Sequence, residues 1–185
     1  MNFFNNLDAN ILLFFQQLRN PVTDPIMGFF SILGNTGFIW IAIALVLLVR
    51  KGTRRHGIQL ALCLIASLII NNIILKNLIA RPRPFTEVEG LTVMLGRFAD
   101  AGSWSFPSGH AGSSFAAAYS LSKSFGKRGR WAWPVAVLIA LSRSYIGVHY
   151  LSDVLCGALF GTLGAVAAVI LWRRCSSRFE GKNWI

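Results

Sequence analysis

Three short stretches of the chain carry side chains suited to holding and attacking an anion. The first runs from Lys76 across six residues to Arg83 and Pro84. The second is Pro107-Ser108-Gly109-His110. The third is Ser142-Arg143, followed by His149 and then Asp153. His149 and Asp153 are four residues apart, a spacing that puts both on one face of a helix. A carboxylate that accepts from Nδ1–H of an imidazole leaves Nε2 unprotonated and aimed outward. A nucleophilic or basic histidine needs that state, although a purely structural His–Asp bond has the same spacing. Lys76 falls near the end of an apolar run, where a lysine either snorkels to the interface or serves a site. Arg83 is flanked by prolines that stiffen the chain around it. Arg143 lies well inside an apolar run, and an arginine at such a depth normally faces a polar cavity.

Pro107-Ser108-Gly109-His110 reads as a helix start. Free backbone N–H groups and the positive end of the helix dipole make such a start an anion site. Ser108 can cap it, and Gly109 lets an anion approach the backbone. An ordinary capped helix with an interfacial histidine has the same signature. Taken together, Lys76, Arg83 and Arg143 supply three fixed cations for a spread negative charge. Two histidines suit a double displacement, in which one attacks phosphorus and the other protonates the leaving oxygen. Such a scheme predicts a bell-shaped pH–rate curve. No cluster of carboxylates is spaced to hold magnesium or zinc, so no metal and no other cofactor is expected. The remaining histidine, His56, sits in a basic loop and reads as a headgroup-level residue.

The elements that must position these residues read as membrane helices. Of the 185 residues, 54% are apolar and only 14% charged, against roughly 25% charged in soluble domains. A helix crossing the hydrocarbon needs about 20 mostly apolar residues. Five candidate spans stand out, at about 25–49, 57–80, 108–124, 131–148 and 151–172. The first contains Leu33-Gly34-Asn35-Thr36-Gly37, which predicts a break or kink. Residues 2–18 mix Phe, Leu and Ile with Asn, Asp and Gln, and predict an interfacial amphipathic helix or a short first span. The fold expected is therefore all-α, a polytopic bundle with five clear spans plus this N-terminal helix. It forms a single domain over 1–185, with an active-site loop at 81–107 and a tail at 173–185.

The net charge of +11 is distributed as loops rather than as a nucleic-acid surface. Arg50, Lys51, Arg54 and Arg55 form one cluster; Lys123, Lys127, Arg128 and Arg130 form another; Arg173, Arg174, Arg178 and Lys182 form a third. With alternating spans all three share one side, which the positive-inside rule makes cytoplasmic. The three chemical stretches then face the extracytoplasmic side. Cys63, Cys156 and Cys175 have no metal-ligand spacing. No cleavable signal is evident before Asp8.

The three stretches resemble the signature of the type 2 phosphatidic acid phosphatase superfamily, which also includes vanadium-dependent haloperoxidases. Its pattern is matched at Lys76, Arg83, Pro84, Pro107 to His110, Ser142, Arg143, His149 and Asp153. The resemblance implies that His149 is the phosphorylated nucleophile and Asp153 its orienting partner. It implies that His110 is the general acid and later the base that activates water. It implies a phosphate clamp of Lys76, Arg83 and Arg143, aided by Ser108 and Gly109. Members of this size are similar to undecaprenyl-diphosphate, phosphatidylglycerophosphate and phosphatidic acid phosphatases of the bacterial plasma membrane. The expected partners are a lipid phosphate and membrane lipids, with no nucleic acid; oligomeric state is left open. The expected reaction converts undecaprenyl diphosphate to undecaprenyl phosphate and phosphate. Competing readings are a phosphatidylglycerophosphate or phosphatidic acid phosphatase, a vanadate-dependent oxidant, and a non-catalytic lipid-binding or transport protein. Glu87, Glu89, Arg97 and Asp100, in the loop, are candidates for tuning selectivity.

Overall fold

The computed structural model describes residues 3–94, 96 and 102–176. Arg97, Asp100, Arg178 and Lys182 lie outside the described residues. The fold is all-α. Helix α1 (Phe3–Gln17) is followed by α2 (Thr23–Leu33) and α3 (Phe38–Val49). The break expected between the last two falls at a single turn, Asn35–Gly37, where Thr36 (φ 51°) and Gly37 (φ 72°) take left-handed backbone. A left-handed residue cannot continue the helix, and the chain bends there by 47°.

Helix α4 (Arg54–Ser67) runs on into a π-helical stretch, Leu68–Leu75, and then α5 (Lys76–Ile79). The wider turn coincides with Asn71 and Asn72. Asn71 is fully buried and donates back to Ser67 O and Oγ at 3.2 and 3.3 Å. Such local bonds compete with the regular ladder, and π-turns of this kind gather at functional sites. Ala80 (φ 48°) ends α5 in left-handed geometry, its N–H donating to Lys76 O at 3.1 Å. Pro84 opens the short α6 (Pro84–Glu87) at its first position, where proline costs nothing.

Helix α7 (Gly109–Phe125) is the centre of the bundle, packed by α4, by α8 (Ala132–Tyr145) and by α9 (Leu151–Ser176). Its buried positions are almost all small: Ala111, Gly112, Ser114, Ala116, Ala117, Ala118 and Ser120. Small residues let helix backbones approach where lipid removes the usual hydrophobic drive. Gly161 of α9 meets Gly112 so closely that an added Cβ would stand 2.3 Å from Gly112 O. The larger core side chains lie on the other face, where Trp40, Leu60, Leu121 and Ile139 pack together. The indole N–H of Trp40 donates to Ser114 Oγ at 2.9 Å, satisfying a polar group that would otherwise be buried alone.

The expectation of five clear spans does not hold. Among the described residues, two helical stretches are long and apolar enough to cross a membrane, Lys51–Glu87 and Leu151–Ser176. The bent pair Thr23–Leu33 and Asn35–Val49 makes a third if it is one span. The candidates at 108–124 and 131–148 become helices of 17 and 14 residues, short of the roughly 20 that hydrocarbon requires. In α7 the serines, glycines and alanines that pack against neighbours also lower the hydropathy. The N-terminal segment is helical as expected. Its Leu12 is buried with Val88, Leu91 and Tyr150, so α1 docks beside the 84–94 loop and the start of α9. Of the tail expected at 173–185, residues 173–176 belong to α9 and the rest lies outside the described residues.

Candidate active site

Site residues come from helix ends at one end of the bundle: the exit of α5, the N-terminus of α7, the last turn of α8 and the first turn of α9. The basic residues Arg54, Lys123 and Arg173 sit at the opposite ends of α4, α7 and α9. His149 lies in the turn between α8 and α9, two residues before α9 starts, rather than inside a helix with Asp153. Gly147 (φ 85°) supplies the left-handed residue this turn needs.

His149 is 2% exposed. Its Nε2 is 3.2 Å from Arg83 Nη1. A guanidinium can only donate, so Nε2 is the acceptor and the ring proton sits on Nδ1. Nδ1 faces Asp153 Oδ2 at 3.7 Å, an ion-pair separation and not a hydrogen bond. Burial, and then the charges of Arg83, Arg143 and Lys76, hold this imidazole well below the usual histidine range; a backbone contact at Ser105 opposes them. The free enzyme therefore presents a neutral His149 with an Nε2 lone pair.

Asp153 is fully buried. Its Oδ2 accepts from Tyr150 N–H at 2.9 Å and its Oδ1 from Arg81 Nη1 at 2.8 Å. Its backbone carbonyl accepts from Ser108 N–H at 2.9 Å, which pins the start of α7 to the first turn of α9. Ser108 occupies the N-cap position without a side-chain capping bond, and its Oγ is buried without a partner among the described residues. Gly109 is packed on Asn72; a Cβ there would stand 2.6 Å from Asn72 Oδ1. His110, in the first turn of α7, has a buried Nε2 with no hydrogen-bond partner among the described residues. Its ring reaches Gly34 at the end of α2, where a Cβ would be 3.3 Å from His110 Cδ2.

Arg83 is 8% exposed and held on three sides: Nη1 donates to Val148 O at 2.9 Å, Nη2 to Ser103 Oγ at 2.8 Å and Nε to Ser103 O at 3.2 Å. Arg143 Nη1 donates to Ser31 Oγ on α2, while its Nε is buried without a partner among the described residues. One cavity of about 550 Å³ joins these groups. Its polar end is lined by Asn72, Lys76, Arg83, Gly109, His110, Arg143 and His149. Its other end is apolar, a slot between Ile41, Leu45 and Leu48 of α3 and Ala61, Leu64 and Leu68 of α4 and the π-turn. Ser108 and Asp153 stand behind the cavity wall. A buried donor left unsatisfied costs about 1–3 kcal/mol. Arg143 Nε is such a donor, and a phosphate oxygen would satisfy it.

All eight residues expected to form the site thus gather around one cavity or directly behind it. Glu87 and Glu89 do not; they are exposed and line a separate depression with Asn6, Ala9 and Asn10. Among the described residues no group of three or more His, Cys, Asp or Glu is placed to hold a metal. The sequence reading missed Arg81, Asp8, Asn72 and Gly157. For Gly157 a signal existed, since Gly157 and Gly161 are spaced as in a close helix–helix contact. Asp8 was visible only as an acid in an apolar segment.

The PAP2 superfamily model matches residues 56–177. Undecaprenyl-diphosphatase of Sulfolobus acidocaldarius is 31% identical over 85% of this chain and 75% of its own length. Lipid A 4'-phosphatase of Bacteroides thetaiotaomicron is 28% identical over 97% of this chain and 83% of its own. The crystal structure of Aquifex aeolicus LpxE superposes with a TM-score of 0.74 at 27% identity, covering 88% of this chain and 94% of that one. That of the first transmembrane PAP2 type phosphatidylglycerolphosphate phosphatase from Bacillus subtilis does so with 0.75 at 25%, covering 94% and 88%. With the family model spanning the described site from α4 to the end of α9, the chain belongs to the PAP2 superfamily and is a membrane lipid phosphatase.

Proposed function

We propose that the chain removes the terminal phosphate of undecaprenyl diphosphate at the extracytoplasmic face, through a phosphohistidine on His149. The observation that carries this reading is the cavity itself. A neutral imidazole and three cations stand at one end of a space whose other end is an apolar slot. A phosphate on a long hydrocarbon tail fits both ends; a soluble phosphate ester uses only one. The basic clusters at the far ends of the helices support the outward orientation. The short 81–107 loop favours a small headgroup, and the Sulfolobus acidocaldarius relative favours a diphosphate.

On this reading the geometry of the site supports a double displacement. The incoming phosphoryl oxygens take over the donors of Arg83, Arg143 and Lys76 and the N–H groups at the start of α7. Arg83 Nη1 turns from His149 Nε2 to an oxygen, which uncovers the lone pair. Nε2 attacks phosphorus and the P–O bond to the leaving lipid phosphate breaks. His110 gives its proton to that leaving oxygen. Asp153 faces Nδ1–H and stabilises the positive charge that forms on the ring. A water then attacks the phosphorus, His110 takes its proton, the P–Nε2 bond breaks, and phosphate departs. Fixed cations aimed at developing charge stand in for a metal.

A second reading, hydrolysis of a phosphomonoester lipid such as phosphatidylglycerophosphate or phosphatidic acid, draws on the Bacillus subtilis neighbour. Side-by-side phosphate release from the three lipids in detergent, with EDTA present, separates the readings. The diphosphate is expected to give the highest kcat/KM, and His149→Ala to remove activity by at least about 10⁴-fold. Full activity in that variant sinks the phosphohistidine; a tenfold preference for a monoester sinks the choice of lipid.

A further inference from the structure

Arg81 has no place in that reaction, yet it is tied into the site. Its Nη1 donates to Asp153 Oδ1 and to Ser152 Oγ, both at 2.8 Å. Its Nη2 donates to Asp8 Oδ2 at 3.0 Å. Its guanidinium carbon lies 3.8 Å from the centre of the Tyr150 ring. Asp8 comes from α1 and is 7% exposed. It also accepts from Ser152 N–H at 3.2 Å and pairs with Ser152 Oγ. One cation therefore bridges two buried carboxylates, one from the N-terminal helix and one beside the nucleophile. Arg81 does not line the substrate cavity, so it acts through Asp153 or not at all.

We infer that Arg81 and Asp8 are positioning residues that fix the carboxylate of Asp153 and balance its charge, so that Asp153 orients His149 without holding it protonated. This rests on His149 being the nucleophile. The Asp153 carboxylate is pinned at both oxygens, by Arg81 and by Tyr150 N–H, and that sets the plane facing His149 Nδ1. Removing Arg81 leaves a buried carboxylate without its counter-charge and without the guanidinium that holds Oδ1. The groups facing His149 are Lys76 from α5, Arg83 from the 80–83 stretch, His110 from α7, Arg143 from α8 and Asp153 from α9. Arg81 stands behind Asp153, with Asp8 of α1 and, near Tyr150, Glu87 beyond it. Loss of the positive charge held directly behind Asp153, screened at an effective dielectric of about 20, raises the pH at which His149 protonates by about one unit.

The test uses the full chain in detergent, with Arg81→Gln, Arg81→Lys and Asp8→Asn compared with wild type. The measurements are kcat, KM, the acid limb of kcat/KM against pH, the melting temperature, and acid-labile phosphohistidine after quenching. Arg81→Gln is expected to lower kcat about 100-fold with KM within threefold, and to move the acid limb up by about one pH unit. Arg81→Lys keeps the charge and so keeps the limb in place while losing part of kcat. Asp8→Asn lowers kcat about tenfold without raising the limb. Wild-type kcat and limb in Arg81→Gln overturn the inference. So does a raised KM with an unmoved limb, the result for a substrate ligand, and so does lost kcat with a falling melting temperature and an unmoved limb, the result for a structural brace. If Arg81→Gln does not fold, Asp8→Asn decides, and wild-type kcat there overturns the inference. Absence of phosphohistidine in the wild type refutes the underlying mechanism instead, whereas its presence with wild-type-like variants refutes only the positioning role.

Discussion

Gly157→Ala tests whether the contact between α7 and α9 sets the catalytic geometry. Gly157 lies on α9 directly against Ser108, and a Cβ there would stand 2.4 Å from Ser108 O and 3.1 Å from Ser108 N. Neither atom can swing away as a side chain would. Ser108 N–H donates to Asp153 O at 2.9 Å, and Ser108 O accepts from Gly112 N–H at 3.0 Å. Reaching ordinary van der Waals distance requires the two backbones to part by about 1 Å. Overpacking of this kind costs about 1–3 kcal/mol of stability. The catalytic cost falls at the upper end of that range, because Ser108, Gly109 and His110 move together, away from His149. A misplacement of about 1 Å between reacting groups costs on the order of 100-fold in rate. The expected outcome is a kcat down about 100-fold and a KM within about threefold, since Lys76, Arg83 and Arg143 are anchored elsewhere. Phosphate release from lipid in detergent gives both constants, and a tryptophan-fluorescence melt gives the stability. Gly52→Ala is the control: nothing lies within 4 Å of a Cβ at that position, so the change is expected to stay within about 0.5 kcal/mol. A Gly157→Ala enzyme with wild-type kcat and an unchanged melt would refute the claim that this contact holds His110 and His149 in register.

Two further outcomes follow from the cavity and its charges. Burial and the charges of Arg83, Arg143 and Lys76 lower the His149 pKa, so the ring stays neutral down to a pH below its ordinary value of about 6.5. The acid limb of kcat/KM, corrected for ionisation of the lipid phosphate, is therefore expected below that pH, with activity lost only as pH falls through the lowered value; a limb at or above pH 7 contradicts this. Ala61→Trp fills the apolar slot between α3 and α4 while leaving the polar end untouched. It is expected to raise KM for the long-chain lipid at least about tenfold and to spare kcat on a short-chain soluble phosphate ester; equal loss on both substrates would show that the slot does not hold the tail.

The residues of the site were more legible in the sequence than the architecture, for a physical reason. Phosphate handling needs lysine, arginine and histidine, and those types are conspicuous against apolar helices. In the fold Lys76, Arg83, His110, Arg143 and His149 line one cavity. Arg81 sat in plain view between Ala80 and Pro82, but its meaning depends on Asp8, 73 residues upstream on a helix read only for its amphipathic pattern. The π-turn at Leu68–Leu75 carries no composition signal apart from paired asparagines within an apolar run. The high apolar fraction of α7 and α8 makes both resemble spans. That reading weighs alanine and glycine as lipid-facing, whereas here they serve contact between helices. The two facts about α7 share one cause. Ser108 can donate to Asp153 O at 2.9 Å only if α7 and α9 touch backbone to backbone. Contact of that kind requires Gly112, Gly157 and Gly161 where leucines would otherwise stand. A helix built of such residues is poor at facing hydrocarbon, so it lies inside a ring of α4, α8 and α9. The composition that disqualifies α7 as a long apolar helix is what lets its first turn bring His110 to the cavity that His149 lines.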